Sequence, residues 1–162
     1  MNEHELLDLL SQDQKLISSF RHKDISKKSL AEESRKISAR FLDIIEVNGF
    51  PYKNKVPTDA YKAAITLLLH TDLTDLERLF DKFLKDSNPN EIDRADLAFV
   101  VDKIMVIKGK CQIYGTQYKY TDDGHIESMP IENEKNVDVL RKKAGMEPLD
   151  EYLLKAANFL RT

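Results

Sequence analysis

No second cysteine accompanies Cys111 in this chain of 162 residues, so an intramolecular disulfide is excluded and a reducing compartment suits the composition. Long apolar runs are missing too. Those present, such as "AAI", "LLL" and "LAFVV", fall far short of the ~20 residues that span a bilayer. The opening "MNEHELLDLL" has neither the basic flank nor the apolar centre of a secretory signal. A cytoplasmic protein with no membrane partner is the expectation.

Concentrated positive charge is also lacking. The net charge is −3 and the pI about 5.8, which argues against nucleic acid as a partner. The most basic stretch, "RHKDISKKSLAEESRKISAR", is interrupted by acids and reads as a solvated helix face. No G-x-S-x-G elbow, P-loop or histidine pair at i, i+4 is present, and one cysteine cannot build a tetrahedral thiolate centre. No metal and no cofactor are therefore expected, and Cys111 reads as a packing residue.

What is present is a soluble globular composition, 41% hydrophobic and 33% charged. Apolar residues recur at helical spacing over most of the chain. Leu6, Leu9, Leu10, Leu16, Ile17 and Phe20 mark a first helix. Ser29 and Glu32 form a capping box for a second, which Asn48-Gly49 stops. A third runs from Thr58 to His70, and Thr74 with Glu77 opens a fourth. Asn88 and Pro89 start a fifth that reaches Lys108 and ends at Gly109.

The period then changes. "CQIYGTQYKY" and "HIESMPI" flank Asp123-Gly124, a strong turn dipeptide, and read as two antiparallel strands. A short helix from Glu134 to Ala144 and a last one carrying Leu149, Leu153, Ala156 and Leu160 complete the chain. The predicted class is α+β and predominantly helical, with one two-stranded hairpin over 111–131. Residues 1–48 read as a helical hairpin packed on a main domain of 49–162.

Three features depart from a plain helical bundle. Asp102 has Ala98, Phe99, Met105 and Val106 as its helical neighbours, so a carboxylate sits on an apolar stripe where an unpaired charge is costly. It either accepts backbone N–H groups or pairs with an arginine, or it orients a histidine or binds a ligand cation. His70, embedded in apolar sequence at a helix-to-helix corner, is either a cap or a general base. In a regular strand, Gln112, Tyr114, Thr116, Tyr118 and Tyr120 share one face, a surface suited to a small polar ligand or peptide. A bulge at Gly115 would bring Gln117 to the side of Tyr114.

These pieces, in order, resemble an uncharacterised bacterial family of unknown function. Its pattern is a His-(Ser/Ala)-Asp corner, a helical Asp-Arg pair, G-K-x-Q-x-Y-G-T-Q, P-I-E-D, N-V-D-x-R-R and G-x-x-P-L-x-E-Y. Here the corner is His70-Thr71-Asp72 and the pair is Asp102-Lys103. "GKCQIYGTQ" starts at Gly109, "PIE" at Pro130, and "NVD" at Asn136, with Arg141 and then "GMEPLDEY" from Gly145. Departures are Lys103 for the arginine, Asn133 for an acid, and Leu140 before Arg141. Lysine lacks the planar fork that holds an anion rigidly. The resemblance implies that His70, Asp102, Gln112, Tyr114 and Gln117 converge, and it brings in Lys103 and Arg141. It implies no activity.

Two functions stand as expectations. One is a small-ligand-binding domain or an enzyme of hydrolase or transferase type. In it His70 is the base and Asp102 sets its tautomer, while Gln112, Tyr114, Thr116, Gln117, Lys103 and Arg141 bind a small molecule or peptide. The other is a protein-interaction module, immunity, adaptor or effector-like, that presents Tyr114, Tyr118 and Tyr120 to a protein partner.

Overall fold

A computed structural model describes residues 3–86, 91–121 and 125–159. Among these residues lie seven α-helices and one two-stranded antiparallel sheet, the predominantly helical α+β class read from the sequence. No described helix is long and apolar enough to cross a membrane. The chain divides into two compact units, 1–91 and 92–162.

The first unit holds α1 (Glu3–Arg21), α2 (Lys27–Asn48), α3 (Thr58–Leu69) and α4 (Leu73–Asp86). Helix α1 packs on both α2 and α3, so the two N-terminal helices share a core with the third. That core is the apolar stripe of each helix: Leu6 and Leu9 from α1, Ile37, Phe41 and Ile45 from α2, and Tyr61, Ala64 and Leu68 from α3. Each fully buried leucine contributes roughly 1.5–3 kcal/mol of transfer free energy.

Two helix starts lie earlier than their capping boxes suggest. Ser26 caps α2, because its Oγ accepts the Ser29 amide at 3.1 Å and makes Ser29 a residue of the first turn. Asp72 Oδ1 likewise accepts the Asp75 amide at 3.0 Å, so Asp72 rather than Thr74 caps α4. Gly49, at φ +77°, ends α2 as read, with its N–H on the Ile45 carbonyl.

The second unit begins with α5 (Arg94–Ile107), followed by a loop over 108–117 and the strands β1 (Tyr118–Tyr120) and β2 (Ile126–Ser128). A single 3-10 turn (Glu134–Asn136), α6 (Val137–Lys143) and α7 (Leu149–Phe159) follow. The helix start at Asn88-Pro89, the Asp123-Gly124 turn and Leu160 lie outside the described residues.

The hairpin is much shorter than its β-propensity suggests. Among the described residues, the ladder consists of Tyr118–Ser128, Lys119–Glu127 and Tyr120–Ile126. Upstream, Gln112 makes one isolated parallel bridge to Ile131. Gly115 sits at φ +70°, outside the strand region, which breaks the expected alternation of faces from Gln112 to Tyr120. The amides of Ile113, Tyr114, Thr116 and Gln117, which a ladder would need, are claimed instead by side chains.

Candidate functional site

Those side chains form a buried polar framework in the second unit. Asp102, on α5, is completely buried. Its Oδ1 accepts the N–H groups of Ile113 at 2.8 Å and Tyr114 at 3.1 Å, and its Oδ2 accepts Thr116 at 2.9 Å. The carboxylate thus acts as an internal anion in a nest of three amides, which offsets its loss of water. Of the roles read for Asp102, the structure displays acceptance of backbone N–H groups.

Arg141, on α6, is equally buried and works on the carbonyls of the same segment. Its Nη1 donates to the Tyr114 carbonyl at 2.7 Å, and its Nε donates to the Glu147 carbonyl at 2.7 Å. The guanidinium carbon lies 4.9 Å from the centre of the Tyr152 ring, a cation–π contact. Burial lowers the pKa of Arg141, opposed by the negative potential of Glu147 and other groups around it. Its Nη2 is buried with no hydrogen-bond partner among the described residues.

Gln112 closes the loop on itself. Its Oε1 accepts the Gln117 amide at 2.8 Å, and its Nε2 donates to the Gln117 carbonyl at 2.9 Å. The same Nε2 reaches the Met129 carbonyl at 2.7 Å, tying the loop to the chain after β2. Tyr152 on α7 donates its hydroxyl to the Thr116 carbonyl at 2.8 Å, and burial pushes that phenol well above the ordinary tyrosine range. The Gln117 amide group donates to Thr116 Oγ1 at 3.1 Å.

The second unit therefore gathers Asp102, Gln112, Tyr114, Thr116, Gln117 and Arg141 around one loop. Most of their polar atoms are taken up by that loop's backbone. Lys103, next to Asp102, is half-buried, and desolvation lowers the pKa of its ammonium. "GKCQIYGTQ" is a clamped loop, held by a buried anion, a buried cation and a buried amide.

His70 belongs to the first unit, and the carboxylate bonded to it is Asp13, on α1. Asp13 Oδ2 lies 2.8 Å from His70 Nδ1, with the Asp13 side chain 3% exposed and that of His70 34% exposed. This corrects the assignment of Asp102 as the group that sets the His70 tautomer. Gln14 Nε2 donates to the same Asp13 oxygen at 3.0 Å. A carboxylate only accepts, so His70 Nδ1 carries the proton and, in the neutral ring, Nε2 keeps a lone pair. Nε2 has no protein partner among the described residues.

His70 lines a groove of about 340 Å³ with Thr71 and Asp72 from its own corner and Ser34, Arg35 and Ser38 from α2. Ser34 and Ser38 fall one turn apart on the same helix face. The Thr71 hydroxyl is bound to the Leu68 carbonyl and Asp72 caps α4, so these two shape the corner. Arg35 is exposed and has no ionic partner among the described residues. Asp13 escaped the sequence reading, although Leu6, Leu9, Asp13 and Leu16 form one apolar stripe. The same signal, a carboxylate on such a stripe, singled out Asp102.

Residues 40–161 match the model of a family of unknown function, DUF6624. The match spans most of the chain, and the protein belongs to this family. It includes His70 and the whole clamped loop, whereas Asp13, Ser34, Arg35 and Ser38 precede it. No curated protein matches the chain, and no solved structure does.

Proposed function

We propose that this member of the family is a small-ligand enzyme of hydrolase or transferase type whose general acid–base group is His70. The observation that carries this reading is the 2.8 Å contact between His70 Nδ1 and the buried Asp13 carboxylate, at the edge of a polar groove. A buried carboxylate behind an imidazole fixes the ring's orientation and stabilises the imidazolium formed when Nε2 takes a proton. Arg35 supplies positive charge for an anionic group of the substrate or for charge that develops during reaction. Ser34 and Ser38 offer hydroxyls for a polar small molecule. Asp13 is a positioning residue, acting through His70.

A panel of chromogenic carboxylic and phosphoric esters tests this reading. His70→Ala is expected to lower turnover of any accepted ester by about 10²–10⁴-fold, the usual contribution of a positioned acid–base group. Asp13→Asn should lower kcat with little change in KM. Turnover that is unchanged in His70→Ala would sink the proposal.

A second reading, a protein-interaction module, is favoured by one observation: Tyr120, on β1, is 52% exposed. Tyr118 is less available, since its ring packs 6.2 Å from both Tyr120 and Tyr152. Retention of every captured partner by Tyr120→Ala would count against this reading.

A further inference from the structure

The second unit contains a groove that the His70 reading does not use. It encloses about 270 Å³ between α5, α6 and the clamped loop. Leu97 and Val101 from α5 and Leu140 from α6 give it apolar walls, and Tyr114 enters from the loop. Arg94 and Lys143 bring two cations, and no carboxylate lines it. Both cations are exposed, and neither has an ionic partner among the described residues.

The arrangement follows from helical spacing. Arg94, Leu97 and Val101 stand at i, i+3 and i+7 along one face of α5, and Leu140 and Lys143 at i and i+3 on α6. Tyr114 is fixed at both ends of its own backbone, its N–H on Asp102 and its carbonyl on Arg141. The clamp therefore holds the root of the one aromatic side chain in the groove. A wall set before binding leaves less ordering entropy to lose on association.

We propose that this groove binds a small organic anion. Its charged head is taken by Arg94 and Lys143, and its apolar body rests on Leu97, Val101 and Leu140 beside the Tyr114 ring. Charge complementarity selects this occupant: two unpaired cations over an apolar floor reject cations and favour an anion with a hydrophobic body. The volume, at the small end of ligand pockets, suits a single-ring compound. This site is separate from the His70 groove and stands or falls without it.

The test is a titration of the full ¹⁵N-labelled chain with phenyl phosphate, and separately with phenol and with inorganic phosphate. Phenyl phosphate is expected to give saturable shifts at the amides of α5, the Tyr114 loop and α6, and to bind about tenfold tighter than either part alone. The double reversal of Arg94→Glu with Lys143→Glu should abolish those shifts and leave the rest of the spectrum in place. No saturable shift at millimolar concentration, equal binding of phenol, or undiminished binding by the reversed protein would overturn the proposal. So would tighter binding of an acidic peptide that lacks aromatic residues, which would make the groove a peptide site.

Discussion

Asp102 and Arg141 hold opposite ends of one residue, Tyr114: the carboxylate accepts its N–H at 3.1 Å, and the guanidinium donates to its carbonyl at 2.7 Å. Both side chains are completely buried, and their hydrogen bonds go to backbone groups, with Arg141 Nη2 left over among the described residues. A buried charge without such partners costs several kcal/mol, so each charge requires the loop to take this shape. Sequence, loop conformation and side-chain burial form one cooperative unit.

The first prediction concerns that unit. Asp102→Asn preserves shape but turns an NH₂ donor toward amide donors, and Arg141→Met removes the donor from the Tyr114 and Glu147 carbonyls. Each is expected to destabilise the protein by about 1–3 kcal/mol for every buried backbone group it leaves without a partner. Because both grip Tyr114, the double variant should cost less than the sum, by about 0.5–3 kcal/mol. Urea unfolding of the four proteins measures the cycle, and strict additivity would show that the two clamps are independent.

Glycine at 115 is expected to be irreplaceable for two separable reasons. Its φ of +70° disfavours a side chain, and an added Cβ would stand 2.7 Å from Leu149 Cδ1 and 3.1 Å from Ile131 Cδ1. Gly109 has the same φ of +70° but nothing within 4 Å of an added Cβ. Gly109→Ala therefore reports the backbone term alone, about 1–2 kcal/mol. Gly115→Ala should exceed it by roughly 1–3 kcal/mol of overpacking. Equal losses in a thermal or urea melt would mean that Leu149 yields freely.

Much of this was legible in the sequence, and the reasons for the rest are physical. Helical period identified the elements because one face of each is apolar, and Asp102 stood out because it violates that pattern. The strand reading of residues 111–117 failed because β-propensity scores side chains locally. Three amides of that stretch, those of Ile113, Tyr114 and Thr116, are bound by Asp102, 11 to 14 positions away in sequence. Arg141 sits in the run "RKK", where charge alone does not distinguish a buried guanidinium from two exposed ammoniums. The Asp13–His70 contact joins residues 57 apart, and no local pattern links them.

Alkaline pH should expose the role of Tyr152. Burial is the main cause that raises its pKa, with Tyr118 adding to it, so the folded phenol stays neutral where an unfolded one ionises. The unfolded state then binds fewer protons than the folded state above roughly pH 10, and stability falls as pH rises through that value. Tyr152→Phe is expected to flatten this alkaline slope. At neutral pH the same variant loses the bond to the Thr116 carbonyl, worth about 1 kcal/mol. Urea midpoints for both proteins across that range are the check, and parallel curves would assign the slope to another group.

Asp13 is expected to determine which nitrogen of His70 carries the proton. With a carboxylate 2.8 Å from Nδ1, the neutral ring is held as the Nδ1–H tautomer, and Nε2 is the basic atom. In Asp13→Asn the amide presents either an oxygen acceptor or an NH₂ donor, so the ring is free to adopt the opposite tautomer and lose its basic Nε2. Long-range ¹H–¹⁵N correlation of the imidazole distinguishes the two forms directly. A wild-type Nε2–H tautomer would remove the lone pair that the proposed chemistry uses. An Nδ1–H tautomer that is lost in Asp13→Asn would tie that lone pair to the buried carboxylate, independently of which substrate the groove accepts.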